Sequence, residues 1–469
     1  MRNGRPSHDG ISRQPSLAGR SRRSRPTRGR RVEADTGREV PSHSGGASGA
    51  STRRAVRWVA PGASQAISSV GNAVLVIVGA RWFGANEFGR LSLAYASVLL
   101  VSQLLRVALG EASLLGAVSV EDRHAAAPQL LGGALFLVPV LGAIAFVITL
   151  VTTRQVAFAV AVAAAVGLVS TAEISRYALL ALGLVRRALS LDLSWTLSEF
   201  VLLGVLRVAA TASAAGVLWC WTVSAAIAIA PALVRVRPAI SLASLRKALE
   251  NEHWWRLTIN ESLLTGTSYM LLAVLAANAG ASAVGGVRAA FLPFLWVQLS
   301  LAAAWLVVLS RQPNPRRVNR LVLALAVALS TAVLATVAVV HLVPASFGRV
   351  LLHDNWPTMR NLIDYAGVAF LCLTVAEAGL LNLKALADTA GVLRARLAYA
   401  LAALASLAII AIAPSARTVL LSMAAAHVAA GFTAYGRLRR HRRVPPAAEP
   451  AEVSSAPMTK PLPAPSPER

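Results

Sequence analysis

The chain has 469 residues, of which 56% are hydrophobic, and its mean hydropathy is +0.59. A soluble domain is closer to about 45–50% apolar, yet this chain carries a formal net charge of +25. The two values exclude an ordinary soluble domain unless the charge is separated from the apolar residues. Residues 1–57 carry 14 Lys and Arg and no aromatic residue, whereas nearly all apolar runs lie between residues 58 and 436. The composition therefore predicts a polytopic membrane protein with a basic tail.

The basic segment, residues 1–57, is rich in Arg, Ser, Gly and Pro and is predicted to be a disordered cytoplasmic tail. No aromatic residue lies between its arginines to stack on bases, so nucleic acid is not an expected partner. Contact with anionic membrane lipids is favoured over nucleic acid, and a solvated tail without a specific role is the alternative. The first apolar run begins only near Val59, so a cleaved secretory signal is not expected. Residues 437–469 are predicted to form a second disordered cytoplasmic tail.

Twelve apolar segments are long enough for membrane crossing, which needs about 20 apolar residues for about 30 Å of hydrocarbon. The predicted spans are roughly 59–80, 91–117, 128–152, 155–175, 190–210, 213–234, 257–279, 281–310, 320–345, 362–382, 392–413 and 417–435. The predicted fold class is thus an all-α polytopic membrane protein. We divide it into a six-helix lobe at 58–235, a cytoplasmic linker at 236–256 and a second six-helix lobe at 257–436.

The distribution of basic residues predicts the topology. With the N-terminus inside, the expected cytoplasmic loops hold 16 Lys and Arg, among them Arg176 and Arg396, and the opposite loops hold 7. Cytoplasmic loops of membrane proteins carry such an excess. We therefore expect both termini in the cytoplasm, in a bacterial plasma membrane.

A weak internal repeat suggests how the two halves are related. Residues 84–89, Gly-Ala-Asn-Glu-Phe-Gly, resemble residues 280–285, Gly-Ala-Ser-Ala-Val-Gly, 196 positions later. Each half has an even number of spans, so the halves run parallel and are related by an axis along the membrane normal, as in one class of secondary transporter. The repeat predicts two parallel lobes around a central cavity.

Arg106, near the middle of the second span, is the foremost candidate for a cavity residue. Ionisable side chains within the membrane are costly and usually face a cavity or a partner. Arg106 belongs to a polar stripe at helical spacing, which consists of Ser92, Tyr95, Ser102, Arg106, Gly110 and Ser113. A structural ion pair is the alternative role. Glu111 lies about 140° around an α-helix from Arg106, so the two are not expected to pair directly.

Further polar residues fall in the spans that occupy equivalent places in the two halves. The additional candidates for cavity residues are Arg288, Glu111, Asn72, Asn260 and Glu261. Arg288 could instead extend to the membrane interface, and the small and hydroxyl residues around Asn72 and Asn260 could serve close helix packing. Glu199, Asp192 and Glu377 are candidates for proton or sodium coupling, or alternatively partners for arginines.

Nucleotide chemistry is not expected from this chain. The phosphate-binding pattern GxxxxGK[ST] is absent from the sequence, and so are CxxC and Cys/His metal spacings. We therefore predict no cofactor and no bound metal. The two cysteines, Cys220 and Cys372, lie in apolar runs and are expected to be buried thiols.

Five stretches resemble motifs of one exporter family. They are residues 78–89, Arg106 with Gly110 and Glu111, Arg176 with Tyr177, residues 284–290, and residues 352–357. The first resembles the ARxxGxxEFG turn, and the last the LxGDxW turn, of polysaccharide flippases of the O-antigen and teichoic-acid exporter type. These belong to the multidrug/oligosaccharidyl-lipid/polysaccharide exporter superfamily. The resemblance covers residues 58–436, and His353 stands where glycine is usual.

The resemblance implies a bundle of twelve to fourteen helices in two lobes that works by alternating access. It implies that a polyprenyl-pyrophosphate-linked glycan moves from the inner to the outer leaflet, with glycan-assembly glycosyltransferases or a polymerase as partners. Related flippases bind pyrophosphate through cavity arginines, which implies this role for Arg106 and Arg288, because guanidinium groups match phosphate oxygens in a fork.

Two other functions remain as alternatives. A cation-coupled drug exporter of the same superfamily would depend on membrane carboxylates and apolar cavity walls. A membrane glycosyltransferase or polymerase would present catalytic acids or histidines on a sizeable outer loop. The longest such loop expected here, about residues 346–361, offers only His353 and Asp354. We therefore predict an exporter and not an enzyme.

Overall fold

The computed structural model describes residues 67–113, 120–250, 253–301, 304, 315–386 and 388–443, and every regular element in these ranges is helical. The helices are α1 (Ile67–Trp82), α2 (Ala85–Glu111), α3 (Val120–Thr153), α4 (Val156–Ala181), α5 (Val185–Val208), α6 (Ala214–Val236), α7 (Leu242–Ala248), α8 (Trp254–Ala279), α9 (Ala281–Leu301), α10 (Pro315–Leu342), α11 (Ala345–Leu352), α12 (Asn355–Ala385), α13 (Thr389–Ile412) and α14 (Ala416–Arg443). The predicted tail at 1–57 and residues 444–469 lie outside the described ranges.

The predicted all-helical membrane fold is confirmed. Among the described residues, eleven helices are long and apolar enough to cross a membrane, and the described part of α1 is a shorter apolar helix. Each of the twelve predicted spans coincides with one of these helices. Helix ends differ from the predicted spans by several residues, for example by eight at the start of α3, and two differences change the predicted division into lobes, linker and tail. The last span continues as α14 to Arg443, past residue 436, and the predicted linker contains the short helix α7.

The two lobes consist of α1–α6 and of α8–α14, and equivalent helices have equivalent environments. The fourth span of each lobe, α4 or α12, is the most buried, whereas the third span, α3 or α10, is the most exposed. The exposed residues of α3 include Val147, Ile148 and Val151, which suit contact with lipid tails. A buried fourth span and a peripheral third span in both lobes agree with an internal repeat.

The repeat is also visible where the lobes touch. A Cβ atom at Gly89 would lie 1.7 Å from the carbonyl oxygen of Ala281, and one at Gly285 would lie 2.4 Å from that of Ala85. Gly285 and Ala281 follow Gly89 and Ala85 by 196 residues, so this pair of contacts is reciprocal. It marks a twofold pseudo-axis between α2 and α9. Only glycine permits such an approach of helix to backbone.

Successive spans alternate in direction, so Arg443, the last described residue, lies on the side of the bundle opposite to the α1–α2 and α8–α9 turns. We call this the terminal side, and we call the opposite side, with the α1–α2 and α8–α9 turns, the far side. On the terminal side the linker helix α7 lies against α3. A Cβ atom at Gly132 would lie 2.0 Å from the carbonyl oxygen of Ala239, and Leu245 of α7 is buried. The linker is thus fixed to the first lobe.

Candidate functional site

The polar stripe on α2 faces the interior, as predicted. Ser92, Tyr95 and Ser102 are all buried, with exposed fractions of 3%, 7% and 1%. Gly110 lies against the ring of Tyr177 on α4, because a Cβ atom there would come within 2.8 Å of that ring. The stripe therefore points toward protein and not toward lipid, and it places Arg106 at the boundary between the lobes.

Arg106 and Glu111 form an ion pair, so the prediction that they would not pair was wrong. The Nε atom of Arg106 lies 3.3 Å from Oε1 of Glu111, and the side chains are 19% and 36% exposed. The prediction assumed an α-helix, but residues Arg106–Glu111 form a π-helical turn. In a π-turn, residues five apart are hydrogen-bonded neighbours along the helix. The hydroxyl of Tyr177 also donates a hydrogen bond to Glu111.

A second charged cluster is buried in the first lobe between α4 and α5. Arg176 donates a short hydrogen bond to Glu173 one turn earlier, and its other terminal nitrogen lies 3.7 Å from Oδ1 of Asp192. The side chains of Arg176 and Asp192 are 4% and 1% exposed. Asp192 is thus an arginine partner, which is one of the two roles predicted for it. Sequence analysis had placed Arg176 in a cytoplasmic loop.

The second lobe carries a corresponding pair between α12 and α13. Arg396 lies 2.9 Å from Glu377, and both side chains are buried. Glu377 follows Glu173 by 204 residues, and Arg396 follows Asp192 by the same interval. The interval also relates Trp195 to Tyr399, two buried aromatic residues. Glu377 is therefore an arginine partner too, as the alternative prediction had it.

These pairs belong to a wider charge network that reaches across the lobe boundary. Lys384, near the end of α12, interacts electrostatically with Glu377, with Glu261 on α8 and with Glu111 on α2. Glu261 also accepts a hydrogen bond from Thr265 beside a π-helical turn in α8. The interior of the bundle therefore contains charges of both signs, which form ion pairs at Arg106, Arg176 and Arg396. Breaking one buried pair there would cost about 3–5 kcal/mol.

Arg288 differs from the other interior arginines. It lies on α9 with its guanidinium 5.9 Å from the ring centre of Tyr95 on α2. In the described part of the chain it forms no ion pair, and its Nε atom has no hydrogen-bond partner. Cation–π contact offsets part of the cost of burial. The structure thus places one cation without a carboxylate at the contact between the lobes.

Glu199 is a carboxylate in the first lobe that, like Arg288, forms no ion pair among the described residues. It lies on α5, is 1% exposed, and its Oε1 atom has no hydrogen-bond partner. It faces α1, since a Cβ atom at Gly71 would lie 3.2 Å from Oε2 of Glu199. Asn72 is the next residue on α1 and is half-buried. No ion pair to Glu199 occurs among the described residues.

The remaining candidate, Asn260, is half-buried on α8 next to Glu261, and its side-chain oxygen has no hydrogen-bond partner. Two hydroxyl contacts lie farther along α8. The hydroxyl groups of Ser97 on α2 and Tyr269 on α8 lie 2.9 Å apart across the lobe boundary. The hydroxyl groups of Ser268 and Tyr399 lie 2.9 Å apart within the second lobe. The polar face of α8 is thus shared between both lobes.

On the far side the two lobes are joined by a side chain that sequence analysis did not single out. Asn355, the first residue of α12, is fully buried and donates hydrogen bonds of 2.7 and 2.8 Å to the carbonyl oxygens of Ala80 and Phe83. These carbonyls lie at the end of α1, where an α-helix leaves acceptors unsatisfied. A residue of the second lobe thereby caps a helix of the first. The segment 346–361, expected to be a loop, is largely helical and positions this side chain.

No protein-family model and no curated protein matches the chain. Solved structures do match. An inward-facing multidrug-resistance MATE family transporter of the MOP superfamily superposes with a TM-score of 0.62 at 13% identity, over 81% of this chain and 95% of that one. A MATE transporter in complex with MaD3S gives 0.57 at 15% identity, over 82% and 95%. A MOP superfamily transporter from Pyrococcus furiosus, described by a reverse polarity of its binding pocket, gives 0.56 at 13%, over 82% and 94%. The chain therefore has the fold of MATE transporters of the MOP superfamily.

Proposed function

We propose that the protein is an alternating-access exporter whose cargo is an amphiphile with an anionic head group. The observation that carries the proposal is Arg288, an interior cation with no carboxylate partner at the contact between the lobes. A buried cation gains most when an anion reaches it. A polyprenyl-pyrophosphate-linked glycan, the cargo implied by the sequence resemblance, has such a head group, and its apolar tail can stay in the bilayer.

Arg106 supports the same cargo in a different way. Its ion pair with Glu111 is 3.3 Å long and partly exposed, so it is weaker than the fully buried pairs at Arg176 and Arg396. An arriving pyrophosphate could take over the guanidinium in a bidentate fork and release Glu111. We propose that Arg288 and Arg106 bind the cargo, while Arg176 and Arg396 hold helices together. Asn72, Asn260 and Glu261 remain proposed cavity residues.

A cation-coupled drug exporter is the second candidate, and Glu199 favours it. A buried carboxylate without an ion pair, set against α1, suits a site that binds a proton or sodium ion during the transport cycle. The fold also suits this function, since solved relatives of the fold are multidrug-resistance transporters. Glu199 could couple either cargo to a cation gradient, so the two candidates differ in the interior arginines.

The test compares cargo classes in one host. Arg288→Gln and Arg106→Gln should abolish surface glycan in a complementation assay while the protein still accumulates in the membrane. Arg106→Lys should restore export only in part, because lysine keeps the charge but loses the fork. Resistance to cationic drugs should be unchanged by all three substitutions. A drug-resistance phenotype that Glu199→Gln abolishes, with normal surface glycan in the arginine variants, would support the second candidate instead.

A matched control is available at Arg417. It also stacks on an aromatic ring, with its guanidinium 5.4 Å from the centre of the Tyr365 ring, but it is exposed on the outside of the bundle. Arg417→Gln removes the same charge and the same type of contact without touching the interior. Equal loss of export in the Arg417 and Arg288 variants would contradict a cargo-binding role for Arg288.

A further inference from the structure

A groove on the terminal side of the first lobe lies between the start of α5 and the end of α6. Its volume is about 830 Å³, and it is lined by Arg187, Ala230, Pro231, Val234, Arg235 and Arg237. Ala230, Pro231 and Val234 form an apolar wall on α6, and Val234 is 77% exposed. The three arginines are exposed at the helix ends. The groove thus combines an apolar wall with a basic rim.

The charges on this rim are not balanced by the protein. None of the three arginines takes part in an ion pair in the described part of the chain, whereas Arg176, Arg396 and Arg437 all do. No described carboxylate lines the groove. Three guanidinium groups around one space repel one another, and an anion bound between them would remove that cost.

The backbone at Arg237 supports a role for the side chain. Arg237 ends α6 with φ of 53° and ψ of 71°, in the left-handed region. Glycine is the usual residue at this position of a helix end, because the left-handed conformation is strained for other residues. The chain keeps arginine there, and the turn directs it to the groove that Arg187 and Arg235 also line.

We propose that this groove binds the head group of an anionic phospholipid from the leaflet on the terminal side. The guanidinium groups contact the phosphate, and the acyl chains lie along the apolar wall of α6. The depth of the site fits this occupant, since the basic rim is at the ends of the two spans and the wall continues toward the membrane centre. The site is separate from the interior proposed to bind cargo.

The test measures lipid selectivity of the purified full-length protein with phosphatidylglycerol and phosphatidylcholine as probes. Native mass spectrometry counts the lipids retained, and spin-labelled lipids report how strongly each is immobilised. Arg187→Gln and Arg235→Gln should each lower the preference for phosphatidylglycerol by about fivefold, with phosphatidylcholine unaffected. Arg186→Gln is the control, because Arg186 is an equally exposed neighbour that does not line the groove.

Arg237→Gly separates binding from folding. Glycine relieves the left-handed backbone, so the melting temperature should rise or stay the same while the preference for phosphatidylglycerol falls. The proposal is wrong if the Arg186 and Arg187 variants lose equal selectivity, or if Arg237→Gly retains lipid as the parent does. Displacement of the lipid by millimolar inorganic phosphate would overturn it too, by identifying a site for free phosphate.

Discussion

The Asn355 side chain offers the most direct test of how the two lobes are held together. In Asn355→Ala the carbonyls of Ala80 and Phe83 lose the two buried hydrogen bonds that join α12 to α1. Each such bond contributes about 0.5–1.5 kcal/mol, so the far-side-closed state should lose about 1–3 kcal/mol. That corresponds to a shift of about 5- to 150-fold toward the state in which the far side is open.

The shift can be measured as a distance between spin labels on exposed far-side positions of each lobe, Gln155 and Ser346, after the two native cysteines are replaced. Asn355→Ala should add or enlarge a long-distance population. The control is Asn278→Ala, because Asn278 also donates to a carbonyl, that of Val274, but within its own helix. An unchanged distance distribution in Asn355→Ala would refute the interlobe role, even if the melting temperature fell.

Three further substitutions test other parts of the fold. Gly89→Ala should also favour far-side opening, since its Cβ atom would overlap the Ala281 carbonyl, whereas Gly84→Ala, with no atom within 4 Å, should leave the same label distances unchanged. His353→Gly should raise the free energy of unfolding by about 1 kcal/mol in a thermal melt, because φ of 48° with ψ of −126° is a conformation that glycine adopts without strain; a lower melting temperature would contradict this. Asp388, at the turn before α13, is within 2.7 Å of both Arg437 and His441. Although burial opposes the charged form, these hydrogen bonds hold the pKa of Asp388 well below its usual range, so its carboxylate stabilises the fold above about pH 4 and the contribution is lost as the pH falls further. Asp388→Asn should therefore lower the melting temperature at neutral pH by an amount equivalent to about 1–3 kcal/mol, and the difference from the parent should shrink below about pH 4; a constant difference would rule out the charge as its cause.

The span positions were predictable because a membrane helix must satisfy its backbone internally and be apolar over a fixed length. Both constraints are local in the sequence. The 196-residue repeat was also readable, since a close helix contact needs glycine on both sides of the pseudo-axis. The Arg106–Glu111 pair was not predictable, because it depends on a π-turn that no residue in the segment signals. A single inserted residue changes which side chains share a face.

The buried pairs were missed for a related reason. Arg176 and Arg396 are near helix ends, so a count of basic residues assigned them to cytoplasmic loops, where they do not belong. Without them the count is 14 against 7, which has the same sign, and the orientation of the termini stays a prediction. A usable signal existed in the sequence Ala-Glu at 172–173 and again at 376–377, 204 residues later. One short match was too weak alone. Together with the 196-residue repeat it would have identified α4 and α12, the fourth spans of the two lobes, as equivalent helices.

The two intervals separate residues that pair within the scaffold from residues that we propose to bind cargo or a coupling cation. Glu173 and Glu377 are equivalent, and each pairs with an arginine, although that arginine is on the fourth helix in one lobe and on the fifth in the other. Both lobes therefore contain a buried pair of a carboxylate and an arginine, although a different helix supplies the arginine in each. This is expected if the fold needs the ion pair and not an arginine at a particular position. Arg288 and Glu199 behave differently. The first lobe has Ser92 at the position equivalent to Arg288, and the second lobe has Ala403 at the position equivalent to Glu199. Neither charge is needed by the architecture of a six-helix lobe, and neither the buried Glu199 nor the half-buried Arg288 has an ion-pair partner among the described residues. The proposed transport of an anionic cargo coupled to a cation needs each of these charges only once, Arg288 in the second lobe and Glu199 in the first.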